Sequence, residues 1–262
     1  MGRAPATPAA GFARFPVCPI ACLPVCPFAH IVKLRADFHS HSHYSRDSVI
    51  NPRMFVDECV RKGVNCIAVT DHNEIEGAFV IQKLAPFKVI IGEEVKTSEG
   101  EIIGLFLKEF VPRDMTPEET VLAIHEQGAL AVVPHPFDVF RRSVITKDAL
   151  ERVKTDVDAI EGFNCRNILS KHDQKARDLA AGVSKPMTLG TDSHSPWEIG
   201  GALLEMDDFE TPQELLAALP SGRIVGHRSL PVVHWISTYA KIRWRLGLRP
   251  AYISPPKAPV RR

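Results

Sequence analysis

Residues 37–48 read Asp-Phe-His-Ser-His-Ser-His-Tyr-Ser-Arg-Asp-Ser, so His39, His41 and His43 stand at alternate positions between Asp37 and Asp47. Imidazole fills a core poorly and holds a divalent cation well. In extended chain, side chains two apart share a face, so His39 and His41 point the same way. More such groups follow at long intervals: His72 in Thr-Asp-His-Asn, Glu93 and Glu94 in Gly-Glu-Glu-Val, His135 in Pro-His-Pro, and Asp192 and His194 in Thr-Asp-Ser-His. Gathered at one place, so many ionisable groups would repel or desolvate badly unless cations held them. Imidazole with carboxylate suits zinc, manganese or iron. Several such ions suit hydrolysis of a phosphate ester, with one activating water and another stabilising the attacking or leaving oxygen.

The elements that would gather them are short apolar runs at 34–38, 66–69, 89–91, 102–107, 131–133, 159–163, 187–189 and 223–225. Helical stretches at 52–62, 117–127, 170–181 and 212–218 fall between them. Asn51-Pro52 and Thr116-Pro117 each place a cap residue before a proline at the first helical position. Gly63, Gly128 and Gly182 fall just past predicted helix ends. Strand–helix repetition of this kind implies a parallel α/β sheet, open or closed into a barrel. His39, His41, His72, Glu93, Glu94, His135, Asp192 and His194 each follow the carboxyl end of a predicted strand, the face where parallel α/β folds build their sites.

The five motifs Asp-Phe-His-Ser-His-Ser-His-Tyr-Ser-Arg-Asp, Thr-Asp-His-Asn, Gly-Glu-Glu-Val, Pro-His-Pro and Thr-Asp-Ser-His, in this order, resemble those of the PHP (polymerase and histidinol phosphatase) family. The resemblance runs from about Arg35 to His194, and Gly-Arg-Ile-Val-Gly from Gly222 extends it. It implies a distorted (β/α)7, TIM-like barrel with two or three divalent ions at the carboxyl ends of the strands, and phosphoesterase activity. Carried over by residue, His39, His41, Glu94 and Asp192 would hold a first ion. Glu94 would bridge to a second, shared with His135. Asp47, His72 and His194 would hold a third. Glu101 stands where the family often has a histidine and is the remaining candidate ligand. Glu93 would face the opposite side from Glu94.

Asp192 and His194 are the candidates for protonating the leaving group. Asn164, Arg166 and Lys171 follow the sixth run and are the candidates for binding substrate phosphate, arginine through its bidentate fork. His43 is expected at an exposed or substrate-facing edge. Asp71 and Asp37 are expected to cap a helix or orient neighbours, and His125 and His172 to be structural.

The chain has 262 residues, 45% hydrophobic and 24% charged, with a formal net charge of +1, so no global field favours long nucleic acid or an anionic membrane. The expected substrate is a small phosphorylated metabolite, a nucleoside bisphosphate or a short oligonucleotide. Histidinol phosphate is the alternative. A non-catalytic, metal-stabilised module that docks a partner is the reading from another class. Six cysteines, Cys18, Cys22 and Cys26 in the first segment and Cys59, Cys66 and Cys165 scattered singly, show neither a disulfide framework nor a zinc knuckle, which implies a reducing, cytoplasmic setting. The apolar, Pro- and Cys-rich residues 1–32 are expected to be a poorly ordered extension, since Pro16, Pro19, Pro24 and Pro27 argue against a spanning helix. Residues 33–229 would form the metallo-phosphoesterase domain. Residues 230–262 would form an amphipathic helix and basic tail. Val233, Ile236, Ala240 and Trp244 make one apolar stripe of that helix; Trp235, Tyr239, Ile242 and Leu246 make a second that could meet a partner subunit.

Overall fold

The backbone obeys its local signals. Helix α1 (Pro52–Lys62) opens where the Asn51 side chain accepts a hydrogen bond from Met54 N at 2.9 Å, and closes at Gly63, whose φ of 68° is the left-handed conformation a C-terminal cap needs. Helix α3 (Pro117–Glu126) opens on a reciprocal capping box between Thr116 and Glu119. The structure, a computed structural model, describes residues 1–2 and 33–248. The extension expected over residues 1–32 lies outside the described residues but for the first two, as does the tail beyond 248.

Among the described residues, nine strands make one sheet: β1 (Leu34–Asp37), β2 (Cys66–Val69), β3 (Lys88–Thr97), β4 (Gly100–Leu105), β5 (Leu130–Val133), β6 (Ala159–Asn164), β7 (Met187–Gly190), β8 (Ala202–Met206) and β9 (Arg223–Gly226). Their order is β7-β6-β5-β4-β3-β2-β1-β8-β9. The sheet nearly closes, because the chain beyond β1 meets the end of β7. Phe38 N donates to Leu189 O at 3.0 Å, Asp192 N to His39 O at 2.7 Å, and His41 N to Ser193 O at 3.0 Å. The result is a distorted α/β barrel, as the motifs implied.

The sheet is not wholly parallel. β4 runs antiparallel to both β3 and β5, and β8 runs antiparallel to β1 and β9. Ser98 and Glu99 alone join β3 to β4, too short a link for the crossover a parallel pair requires. β8 was not anticipated. Its sequence, Ala-Leu-Leu-Glu-Met, consists of good helix formers, and pairing with β1 overrides that preference. Helices α2 (Glu76–Leu84) and α4 (Lys147–Val153) are also additions, and α2 lacks a side-chain cap to announce it. Helices α5 (Ser170–Gly182) and α6 (Pro212–Ala218) lie where expected.

Strand alternation sorts the core into two layers. Ile67, Val69, Val89, Ile91, Ala131 and Val133 pack under helix residues such as Phe55, Ile81, Ile124 and Leu150. Cys66, Ala68, Ile90, Ile103, Val132 and Ala159 gather on the opposite face with Phe38, Leu189 and Phe209. Continuing that second parity upward along β3 and β6 leads from Ile90 to Glu94 and from Ala159 to Glu161. The final helix, α7 (Val233–Arg245), buries Val233, Ser237 and Ala240. Trp235, Tyr239, Ile242 and Leu246, the second stripe, are exposed.

A candidate metal centre at the barrel rim

His39 and His41 enter the rim just after β1 ends. His39 Nδ1 lies 2.9 Å from Glu161 Oε1, which turns Nε2 inward to stand 3.0 Å from His41 Nε2. His41 is fixed in the same way by Ser45 Oγ, 3.2 Å from its Nδ1. Glu94, from β3, is central. Its Oε2 lies 3.4 Å from both His39 Nε2 and His41 Nε2 and 2.9 Å from His72 Nδ1; its Oε1 lies 3.0 Å from His135 Nε2. Asp192 Oδ1 is 3.4 Å from both His41 Nε2 and His194 Nδ1. Asp47 approaches His194 at 3.4 Å and His72 at 3.5 Å. Glu101 lies 3.7 Å from His72 and 3.9 Å from His135.

All nine candidate ligands therefore meet in one cluster. Within it, four sets bring ligand atoms within 4.8 Å of one another: His39, His41 and Glu94; His39, His135 and Asp192; His41, His72 and His194; and His72, Glu94 and Glu101. The first set follows the expected grouping. The others cut across it: His72 stands with Glu94 and Glu101 in one set and with His41 and His194 in another, and His135 joins His39 and Asp192. Glu93 faces away and accepts from Val111 N at 2.9 Å.

The donors fit divalent cations. Glu94 Oε2, Glu101 Oε2, Asp47 Oδ1 and Asp192 Oδ1 are buried and accept no hydrogen bond, although ring nitrogens stand within 4 Å of each. Close approach without hydrogen-bond alignment means that lone pairs converge on shared space. Uncompensated buried carboxylates are costly, and cations are the usual compensation. The protonation pattern tells the same story. Burial opposes charge on His39 and His72, yet surrounding carboxylates, Asp192 and Glu94 for His39 and Asp47 and Glu94 for His72, hold both well above the ordinary imidazole range. Burial and repulsion by His194 and His72 push His41 well below it. Burial and the neighbouring Glu94 raise Glu101 to about 7. Protons thus take the place of cations in a crowded site.

A second layer holds these groups. Glu161 Oε2 accepts from His135 N at 2.7 Å and from Asn164 Nδ2 at 2.9 Å. Asn164 Nδ2 also reaches Asp192 Oδ2 at 3.2 Å, helped by a register shift in β6 between Glu161 and Phe163. Asp37 accepts from His39 N at 3.1 Å and from Thr191 N at 2.9 Å, pinning β1 to the chain after β7. Asp71 is no helix cap; it accepts from the backbone and hydroxyls of Ser42 and Ser45. His135 and Asp192 have positive φ, 30° and 53°, a conformation non-glycine residues rarely hold without a local reason.

The residues expected to bind phosphate separate. Asn164 is at the rim. Arg166 is buried, 3.3 Å from Glu198 Oε1; it donates to Val233 O at 3.2 Å and Ser237 Oγ at 2.8 Å, which ties α7 to the barrel, and to the backbone oxygen of the rim residue Asp192 at 3.5 Å. Lys171 is exposed, and among the described residues no hydrogen bond or ion pair joins it to the site. His43 is buried, not at an exposed edge. His125 pairs with Asp158 at 2.8 Å and His172 lies buried 3.6 Å from Asp138, both away from the cluster.

Three residues were missed. Glu161 reads as an ordinary strand position until the inward parity of β6 is followed. Arg141, in the loop after β5, pairs with Asp192 Oδ2, and burial notwithstanding, Asp192 and Glu94 hold its guanidinium above its ordinary range. Lys241, from α7, stands 3.2 Å from Asp47 Oδ2.

A family model described as PHP domain matches residues 37–190, and one described as PHP-associated matches residues 171–224. The chain belongs to the PHP domain family. This PHP domain is 41% identical over 145 residues to the uncharacterized protein MJ1587 of Methanocaldococcus jannaschii, spanning 50% of this chain and 82% of that one. It is 34% identical over 189 residues to MJ0417 of the same organism, also uncharacterized, spanning 70% and 75%. Among solved structures it is similar to a two-domain protein from Bacteroides vulgatus containing a predicted PHP-like metal-dependent phosphoesterase, with a TM-score of 0.60, 18% identity and 74% of this chain covered. The match spans 65% of that protein's length. Among the described residues, no helix of the PHP protein is long and apolar enough to cross a membrane.

Proposed function

We propose that this PHP protein is a metal-dependent phosphoesterase acting on a small phosphorylated metabolite, a nucleoside bisphosphate or a short oligonucleotide. The observation that carries this reading is the meeting of His39, His41, Asp47, His72, Glu94, Glu101, His135, Asp192 and His194 at one rim, with four buried carboxylate oxygens that accept no hydrogen bond. These nine would hold two or three divalent ions, of zinc, manganese or iron, which when bound supply Lewis-acid charge neutralisation and a more acidic water.

The chain's own groups have separable tasks. Glu161 and Ser45 fix the ring orientation of His39 and His41. Arg141 and His39 keep Asp192 a carboxylate, far below the usual range despite its burial, so Asp192 serves better as a ligand than as a proton donor. His194 Nδ1 donates to Asp192 O at 2.7 Å, which leaves Nε2 as its ligand atom, so the proton for the leaving group is left to water. The net reaction adds water across the ester: oxygen bonds phosphorus, the ester P–O bond breaks, and the alcohol departs with a proton. The three described cysteines, Cys59, Cys66 and Cys165, are buried and unpaired, which supports a reducing, cytoplasmic setting.

The test is metal quantification on wild type, His39→Ala and Asp192→Ala, with hydrolysis of a phosphate-ester panel measured alongside. Wild type should carry metal and turn over at least one ester, and both variants should lose metal and activity together. Turnover of histidinol phosphate alone would move the substrate to that alternative. Bound metal with no turnover across the panel would favour the partner-docking module, for which the exposed α7 stripe of Trp235, Tyr239, Ile242 and Leu246 is the supporting feature.

A further inference from the structure

The formal charge of +1 conceals a division along the chain. Residues 215–262 hold nine Lys or Arg and no Asp or Glu, so they carry +9 against −8 for residues 1–214. Charge segregated in this way marks a segment that meets an anionic partner. Helix α7 lies inside the basic segment and is fixed by its inner face. Val233, Ser237 and Ala240 are buried, Arg166 donates to Val233 O at 3.2 Å and to Ser237 Oγ at 2.8 Å, and Lys241 ion-pairs with Asp47 at 3.2 Å.

The opposite face is thereby held outward. Trp235, Tyr239, Ile242 and Leu246 recur along it every three or four residues, and Trp235 and Leu246 are 76% and 69% exposed. At about 100° per residue, Arg243 and Arg245 fall on opposite flanks of this stripe. The Arg243 guanidinium lies over the Tyr239 ring, 5.8 Å from its centroid, and neither arginine has a carboxylate partner among the described residues. Trp and Tyr in an apolar stripe bordered by arginines match the boundary between acyl chains and anionic headgroups. Rings and aliphatic side chains enter the acyl boundary, and guanidiniums stay level with the phosphates. With 13 residues α7 is about 20 Å long, against about 30 Å of bilayer hydrocarbon, so it suits the surface and not a span. A second copy docked α7 on α7 fits less well, because neither helix brings an acid to the other's arginines. Nucleic acid would meet the arginines but leave Ile242 and Leu246 without apolar partners. We infer that the outer face of α7 is a docking surface for an anionic lipid bilayer, bound peripherally. The inference does not depend on the phosphoesterase reading.

The test is binding of the full chain to vesicles of phosphatidylcholine, with and without phosphatidylserine, followed by co-sedimentation and tryptophan emission. Wild type should sediment with the phosphatidylserine vesicles, bind phosphatidylcholine alone about tenfold or more weakly, and lose affinity as salt rises. Its emission should shift to the blue on binding, and Trp235→Ser should remove most of that shift. Trp235→Ser/Leu246→Ser and Arg243→Gln/Arg245→Gln should each weaken vesicle binding by about tenfold or more. Their Tm should match wild type, since none of the four side chains is buried. No sedimentation of wild type, or equal affinity of all three proteins, would overturn the inference. So would tight binding to a single-stranded RNA oligonucleotide that only the arginine variant loses, which would make the face a nucleic-acid interface. Self-association without vesicle binding, abolished by Trp235→Ser/Leu246→Ser in sedimentation velocity, would overturn it in favour of a second copy.

Discussion

A buried cluster of five imidazoles and four carboxylates is decided one proton and one ring orientation at a time. Glu161 carries much of that control. Its two oxygens meet His39 Nδ1, His135 N and Asn164 Nδ2 at 2.7–2.9 Å, so it orients one ligand ring, one ligand backbone and the amide that reaches Asp192. Replacing one oxygen by an amide leaves too few acceptors for those donors. Changes to such supporting groups typically cost ten- to a hundredfold in metal affinity. Glu161→Gln should therefore weaken metal binding by about tenfold or more while the protein stays folded, measured by competition with a chromophoric chelator. Affinity within twofold of wild type would remove Glu161 from that role. Arg141→Met should act differently. It strips Asp192 of a charged partner without touching any ring, and losing one member of a buried pair costs about 3–5 kcal/mol where nothing replaces it. The metal-free protein should lose more stability than the metal-loaded one, since bound cations would take over the neutralisation; thermal unfolding with and without chelator reads the difference.

The elements place these groups, and they differ in how openly they announce themselves. His39, His72, Glu94, His135 and Asp192 sit just beyond, or late in, short β-rich runs, so strand-end logic finds them from sequence. Glu101 sits at the start of β4, and only because β4 is reversed does that start point to the shared rim; no periodicity distinguishes a reversed strand from a parallel one. Arg141 and Lys241 arrive from a loop and from α7, and their approach depends on tertiary packing. Gly190 marks a further constraint at the barrel seam. A Cβ there would lie 2.1 Å from Glu161 Oε1 and 2.5 Å from His39 Cβ, so the end of β7 approaches β1 closely only because it lacks a side chain. Gly190→Ala should force the seam or Glu161 to shift, with an overpacking cost of about 1–3 kcal/mol and a loss of bound metal larger than that stability change alone would give. Thr116→Ala is the matched contrast. It removes the α3 capping box, far from the rim, and should cost about 1 kcal/mol in denaturant unfolding with metal content unchanged.

For the whole molecule, the charges at the rim define what holds the barrel together. Asp47, Glu94, Glu101 and Asp192 bring four carboxylates to one place, and Arg141 and Lys241 are the fixed cations that touch them. Without ions, the remaining balance falls to protons on imidazoles such as His39 and His72, and to Glu101, whose pKa of about 7 leaves it part-protonated near neutrality. Bound ions would take over that balance, held by His39 and His41 after β1, Glu94 on β3 and Asp192 after β7. Because metal would bind the folded barrel and not the scattered ligands of the unfolded chain, binding free energy adds to folding free energy. At a thousandfold excess over the dissociation constant that linkage is about 4 kcal/mol per ion. For a domain of this size each kcal/mol shifts Tm by roughly 2–4 °C. Chelation should therefore lower Tm by roughly 8 °C or more per ion lost, and restoring zinc or manganese should recover it, measured calorimetrically at fixed pH. Equal melting temperatures for the chelated and metal-loaded protein would mean that the rim binds no ion in the folded state, and the metal-centre reading would fall with it.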